Sequence, residues 1–186
     1  MATKSDYERV WVGPDYRRGS CAQRLVPFFA TQIPAGSVIN DYGSGTGRAA
    51  VELNRLGYKV NMVDFASNAI EKEALDSLSD RLTYTVADLT ALPSDFPVAD
   101  WGVCVGVLML VDDIETMHRM LAEMRRTCKN IIIETHNMDS NYLGFNWAKI
   151  RGNGAFWAGE LGKHWDKIEA IQSKEHALRY ITIGRN

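Results

Sequence analysis

At 186 residues, with 46% apolar and 24% charged side chains, the chain has the size and composition of one globular domain. Its net charge of −2 rules out a basic nucleic-acid-coating protein, and no apolar run reaches the ~20 residues that span a bilayer. The three cysteines are scattered without a CxxC pair, which argues against disulfides and zinc, and the polar start of the chain makes a cytoplasmic setting the expectation.

Charge is unevenly spread. Residues 37–137 carry nine Lys/Arg against fifteen acids, while 1–36 carry five against three and 138–186 seven against five. An acidic middle between mildly basic flanks permits an anionic small ligand and falls short of a nucleic-acid stripe.

In chain order, residues 1–36 read as an N-terminal helical flap. Tyr7, Trp11 and Tyr16 punctuate a polar stretch, Gly13-Pro14 interrupts it, and a helix is expected from about Ser20 to Gln32 with Leu25, Phe28 and Phe29 inward. Val38-Ile39-Asn40-Asp41 then runs as a strand into Gly43, Gly45 and Gly47. Ala49, Ala50, Val51 and Leu53 follow at helical spacing, with Gly57 closing the helix. A strand, a glycine turn and a helix start present backbone N–H groups to a ligand, and the glycines let it approach the backbone.

Asp64 ends the next apolar run, twenty-one residues beyond Gly43, near the offset at which a second-strand acid takes ribose hydroxyls in a doubly wound fold. Ser67 is the expected N-cap of a helix burying Ile70, Ala74, Leu75 and Leu78. Leu82–Val86 is a third strand, followed by Asp88 and Leu89. Asp100–Leu110 reads as a long strand covered on both faces. Asp112 with Glu115 forms the expected capping box of a helix whose stripe is Ile114, Met117, Leu121 and Met124, methionines that belong to a core. Asn130–Ile133 is a fifth strand, and it ends in Glu134-Thr135-His136-Asn137 at the carboxyl edge of the sheet. Residues 138–164 are rich in glycine and aromatics and read as a substrate-side insertion holding one short helix. Runs near 165–172 and 176–184 read as a closing hairpin, so 37–137 is the expected ligand-binding core.

The order Asp41-x-Gly43-x-Gly45-x-Gly47 differs from the G-x-G-x-x-G of dinucleotide sites. A carboxylate at that strand end would repel a pyrophosphate and suits a ligand bearing an ammonium or sulfonium charge. Together with Asp64 and Asp88-Leu89, this pattern resembles the class I S-adenosylmethionine-dependent methyltransferases over residues 37–135. The resemblance implies an α/β fold: one doubly wound, Rossmann-like, seven-stranded, mostly parallel sheet with a C-terminal antiparallel hairpin, in a single domain. It implies S-adenosylmethionine as cofactor, contacted by Asp41, Gly43, Gly45, Thr46, Gly47, Asp64, Phe65, Asp88, Leu89 and Val105. Asp64 would take the ribose, and Asp88 with Leu89 the adenine. Phe65 either packs on the adenine or makes a first-turn core contact, and Asp88 has a turn-forming role as its alternative reading.

In such proteins N-terminal aromatics form a flap over the cofactor; the alternative is a packed helix pair. Trp11, Tyr16, Trp147 and Trp157 are the candidates for the acceptor side, and His136 for a catalytic base or acceptor-orienting group, a strand-end loop cap being its alternative. The four histidines form no HExxH or i,i+4 pair, so no metal is expected. A Pro-Cys after the fourth strand and the Asn/Asp-Pro-Pro-Tyr/Phe motif of base-modifying methyltransferases are missing; that position reads Gly106-Val107-Leu108-Met109. A small-molecule acceptor is therefore the expected partner. A methyltransferase for nucleic acid or protein, and a non-catalytic S-adenosylmethionine-binding sensor or partner subunit, stay open.

Overall fold

The computed structural model describes residues 3–18, 22–136, 149–172 and 179–186. The chain begins with a short helix, α1 (Lys4–Val10), whose N-terminus is closed by a reciprocal capping box between Thr3 and Asp6. The Gly13-Pro14 break ends it, and α2 (Pro14–Arg18) starts on the proline, whose missing N–H costs nothing at a first helical position. The single helix predicted from Ser20 is instead a 3-10 turn, Ala22–Leu25, leading into α3 (Val26–Gln32). Pro27 lies in the first turn of α3, where its missing N–H costs nothing, and it cannot donate in a longer helix running through from Ser20.

The strands are β1 (Val38–Tyr42), β2 (Lys59–Asp64), β3 (Leu82–Val86), β4 (Ala99–Val105), β5 (Cys128–His136), β6 (Lys167–Gln172) and β7 (Arg179–Arg185). The helices between them are α4 (Arg48–Arg55), α5 (Lys72–Asp76), α6 (Ile114–Thr127) and α7 (Gly154–Leu161). They form one seven-stranded sheet in the order β3-β2-β1-β4-β5-β7-β6. The first five strands pair in parallel, and β7 runs antiparallel between β5 and β6. This is the doubly wound sheet with a closing hairpin that the sequence implied, in a single domain. The winding reverses between β1 and β4, so the crevice beyond their carboxyl ends is the natural ligand position.

Side chains alternate across the sheet. Ile39, Val60, Val103 and Ile132 face α3 and α4, where Phe29, Ala50 and Leu53 cover them. Tyr42, Val63, Cys104, Ile131 and Ile133 face α6 and α7, packing with Met117, Leu121, Met124, Trp157 and Leu161. Two asparagines sit in this apolar sandwich and are satisfied laterally. Asn61 Nδ2 donates to Asn40 Oδ1 (2.9 Å), and Asn40 Nδ2 donates to the carbonyls of Pro97 and Thr127 (2.9 Å each). A polar rung thus crosses the inner strands with each amide nitrogen hydrogen-bonded.

Several expectations need correction. The β4 run stops at Val105, because Gly106 turns the backbone at φ 69° and Leu108–Leu110 form a 3-10 turn. Leu108 and Met109 remain buried there, so their apolarity reflects the core and not a longer strand. β5 extends to His136, which places Glu134 and Thr135 within the strand. The helix after β2 starts only at Lys72. Ile70 and Ala74 are buried as expected, but Leu75 and Leu78 are exposed. The cap of α6 is Asp113, accepting from Thr116 N at 2.6 Å, so Asp112 is displaced from the box; of the stripe, Ile114 points outward. Residues His176, Ala177 and Leu178 of the expected hairpin lie outside the described residues. No described helix is long and apolar enough to cross a membrane.

Candidate functional site

The crevice is built on the turn between β1 and α4. Gly43 and Ser44 donate their N–H groups to the carbonyl of Val63 (2.8 and 3.1 Å), which fastens the turn to β2. Gly45 follows at φ 54°, and a Cβ built there would lie 2.8 Å from the Trp11 ring. Gly47, at φ 78°, is the N-cap of α4 and supplies no side-chain cap to the helix N–H groups. A Cβ on Gly47 would come within 2.8 Å of Ala74, so this glycine sets the approach of α4 to α5. Thr46 is fully buried, and its carbonyl accepts from Glu71 N.

Two acids close the strand ends. Asp64, 7% exposed, accepts from Gly45 N through Oδ2 (2.8 Å) and from Ala66 N through Oδ1 (2.9 Å). It therefore shapes the glycine turn directly, a role not read from the sequence. Burial pushes its carboxyl above the ordinary range, and the backbone N–H groups of Ala66, Gly45 and Phe65 oppose that rise. A carboxylate offers about four lone-pair positions, so these two bonds leave acceptor capacity for ligand hydroxyls.

Asp41 differs. It is 2% exposed, and its Oδ2 is a buried atom without a hydrogen-bond partner. Burial first, and then the charge of Asp64, push its carboxyl up to about 7. The contrast with Glu134 is informative. That acid, 1% exposed at the carboxyl end of β5, forms an ion pair with Arg24 of the 3-10 turn. One buried carboxylate on this face has a cation from the chain, and the other has an oxygen aimed at none.

Further along the crevice, Phe65 is half-buried, with its ring edge-on to Tyr7 at 6.1 Å. Asp88 is exposed, and its Oδ1 accepts from both the N–H and the hydroxyl of Thr90 (2.8 Å each), the turn-forming role held open above. Leu89 is buried with Leu92 and Phe96. Val105 ends β4, half-buried, paired in register with Glu134.

The N-terminal helices pack against this crevice. Trp11 lies against Gly45 and meets Tyr16 edge-on at 4.7 Å. Arg17 is the fastener, a residue the sequence reading passed over: Nε donates to Trp11 O (2.8 Å), while Nη1 and Nη2 donate to the carbonyls of Ala69 and Asn68. Asn68 Nδ2 donates to Glu8 O, and Ser67 Oγ to Glu8 Oε1 (2.8 Å each). Ser67, expected as a helix cap, thus serves the flap. An arginine pair directly after an aromatic triplet was the available signal. On the opposite rim, Asp112 pairs with Lys149, whose backbone N–H bonds the Met109 carbonyl (2.8 Å).

One acceptor-side expectation changes. Trp157 is wholly buried under the sheet, its Nε1 donating to Gly152 O, so it is a core residue and presents no face to a ligand. Trp147 lies outside the described residues. His136 is the last residue of β5, its backbone opposite Arg179. Among the described residues no group of three or more His, Cys, Asp or Glu is placed to hold a metal ion.

Residues 39–130, which span β1, the glycine turn, both acids and the switch to β4, match the family model described as a methyltransferase domain. The chain carries a methyltransferase domain over these residues. No curated protein matches it in sequence. Among solved structures, this methyltransferase domain is similar to the Burkholderia thailandensis 1,6-didemethyltoxoflavin N1-methyltransferase, with TM-score 0.76 and 16% identity over 98% of this chain and 86% of that one. It is similar to the N-methyltransferase NodS of Bradyrhizobium japonicum, with TM-score 0.76 and 14% identity over 98% and 97%. It also resembles the magnesium protoporphyrin IX methyltransferase of Synechocystis, with TM-score 0.70 and 15% identity over 100% and 98%. At these identities the likeness shows the fold.

Proposed function

We propose that this methyltransferase transfers a methyl group from S-adenosylmethionine to a small-molecule acceptor. The observation that carries the reading is the buried, unpartnered Oδ2 of Asp41 at the head of the glycine turn. An uncompensated buried carboxylate is costly, and a ligand ammonium would compensate it. The three structures named above were solved with S-adenosylhomocysteine or S-adenosylmethionine bound, which supports the same ligand here.

In this reading Asp41 meets the ligand's ammonium, the backbone of Gly43, Gly45, Thr46 and Gly47 lies along it, and Asp64 accepts from ribose hydroxyls. Phe65, Asp88 and Leu89 border the adenine end, with Val105 beneath. S-adenosylmethionine supplies a methyl group already activated by a positive sulfur. The chain's task is alignment and exclusion of water, and holding reactants in near-attack geometry contributes roughly 7–11 kcal/mol. Trp11 and Tyr16, fastened by Arg17, form the cover. The absence of a basic stripe in the sequence favours a small acceptor over nucleic acid.

The decisive experiment is mass spectrometry of a metabolite extract incubated with the protein and methyl-labelled S-adenosylmethionine. A labelled small product together with S-adenosylhomocysteine supports the reading. Binding without any turnover would favour the sensor alternative, and no binding would overturn both.

Asp64→Ala is expected to weaken S-adenosylhomocysteine binding by about 1.5–3 kcal/mol in calorimetry, through loss of charge-assisted bonds. It is also expected to lower thermal stability, because Gly45 N–H and Ala66 N–H both lose their acceptor. Asp64→Asn keeps one acceptor oxygen and falls between. If His136 is the base, His136→Ala lowers turnover about 10²–10⁴-fold with cofactor affinity unchanged. Unchanged turnover would leave alignment alone to run the reaction.

A further inference from the structure

On the face of the sheet that α6 and α7 cover, three titratable side chains join the two helices. His118 projects from the middle of α6, Glu160 from the last turn of α7, and His164 from the turn that follows. His118 Nε2 lies 2.7 Å from Glu160 Oε2, and His118 Nδ1 lies 2.9 Å from His164 Nε2. The imidazoles are stacked, 5.2 Å between centroids at 27°. Lys163 Nζ bonds the same Glu160 oxygen (2.8 Å), and Arg125 Nε of α6 donates to the His164 carbonyl (3.0 Å). On the β5 side, Trp165 Nε1 donates to Lys129 O (3.0 Å), while the Lys129 ammonium pairs with Asp100.

We propose that His118, His164 and Glu160 form a proton-operated clasp, which holds α7 against α6 and releases it when both imidazoles are protonated. The proton inventory gives the mechanism. Glu160 accepts, so His118 carries a proton on Nε2. The 2.9 Å bond between the rings holds one further proton, and either ring can own it.

With both rings neutral, His164 Nε2–H donates to His118 Nδ1. A first added proton makes His118 an imidazolium between Glu160 and His164. Its Nδ1–H now donates to His164 Nε2, whose own proton moves to Nδ1, and every hydrogen bond survives. A second proton leaves an N–H on each of the two facing nitrogens. The bond is lost and two cations stand ring to ring, with the Lys163 ammonium nearby. Burial, followed by His118 and Lys163, holds His164 below its ordinary value, which is the direction this account requires. A histidine kept neutral by the fold contributes stability above its unfolded pKa of about 6.5, and that contribution is lost as the pH falls below it.

The clasp matters beyond its own surface because α7 continues from residues 149–153. Lys149 and Ile150 are tied by their N–H groups to the Met109 carbonyl in the turn after β4. Loosening α7 therefore slackens the rim of the crevice, whatever the acceptor is. The clasp does not depend on the methyl-transfer reading, and its test needs no substrate.

The test is amide hydrogen exchange across 154–165 between pH 7.5 and 5.5, corrected for intrinsic rates, on the wild type and on His164→Gln. Glutamine keeps a donor and an acceptor but does not titrate. In the wild type the opening constant is expected to rise by up to about tenfold per pH unit below pH 6.5. In His164→Gln the profile is expected to be flat. An NMR titration of the wild-type His164 imidazole covers the case in which the variant fails to fold: it must titrate below the ordinary histidine value. Flat wild-type exchange, an equal slope in His164→Gln, or titration of His164 at its ordinary value overturns the clasp.

Discussion

Gly45→Val is expected to abolish cofactor binding, by at least about 100-fold, while most of the sheet stays folded. Two separate costs converge at this position. The backbone sits at φ 54°, where a β-branched residue is a genuine outlier, so valine must bend the turn that Gly45 N–H and Asp64 hold together. Its Cβ would also lie 2.8 Å from Cη2 of Trp11, so the flap must lift. A lifted flap admits water, and a bent turn misplaces the N–H groups at the start of α4. Gly45→Ala carries the backbone strain without the γ-methyl groups, and Trp11→Ala in that background removes the collision but not the strain. The ordering wild type, Gly45→Ala/Trp11→Ala, Gly45→Ala, Gly45→Val in calorimetric affinity for S-adenosylhomocysteine would separate the two costs. Wild-type affinity in a folded Gly45→Val protein would mean that the ligand binds elsewhere.

How far the sequence discloses the molecule depends on the range of the forces involved. The β1–glycine–α4 unit is legible because everything that forms it lies within twenty residues: an apolar run, positive-φ glycines and a helical apolar face. Leu82–Val86 was likewise readable as a strand to the residue. Reading failed where burial and secondary structure part company. Leu108 and Met109 are as apolar as strand residues, yet Gly106 has already turned the chain. Leu75 and Leu78 have helical spacing, but the segment before them is given over to receiving Arg17 and Glu8 from the flap.

The site divides the same way. Asp41 and Asp64 announce themselves by position at strand ends. That Asp64 braces the turn, and that Glu134 is neutralised by Arg24, depend on partners 19 and 110 residues away. Trp157 was misassigned for a related reason. A tryptophan among glycines looks the same whether it faces a ligand or fills the space under β5, and only the packing of α7 decides. His118, Glu160 and His164 escaped notice because no metal-ligand or catalytic spacing connects them; α6 and α7 bring them together only in the folded chain.

Asp41→Asn is expected to move stability and binding in opposite directions. In the free protein the Asp41 carboxyl is raised to about 7 by burial and by the neighbouring Asp64, against roughly 3.9 in the unfolded chain. Between those values the folded state holds more protons than the unfolded one, so stability falls as the pH rises from about 4 to 7, and the full cost is present above 7. Asparagine removes the charge. Its amide donors also need partners, so the net gain at pH 8 is on the order of 1–2 kcal/mol, a rise in Tm of about 2–8 °C that vanishes near pH 4. Binding goes the other way. Asparagine offers a ligand ammonium a neutral oxygen, and losing the charge-assisted bond weakens affinity by about 1.5–3 kcal/mol. The pH profile separates this account from simple damage to the turn. Wild-type affinity falls by up to about tenfold per unit as the pH drops below 7, because the protonated Asp41 must release its proton to receive the cation. The Asp41→Asn profile is level through the same window. Scanning calorimetry and titration calorimetry at pH 6, 7 and 8 test both halves, and a variant that is neither more stable nor weaker in binding would remove Asp41 as the ammonium site.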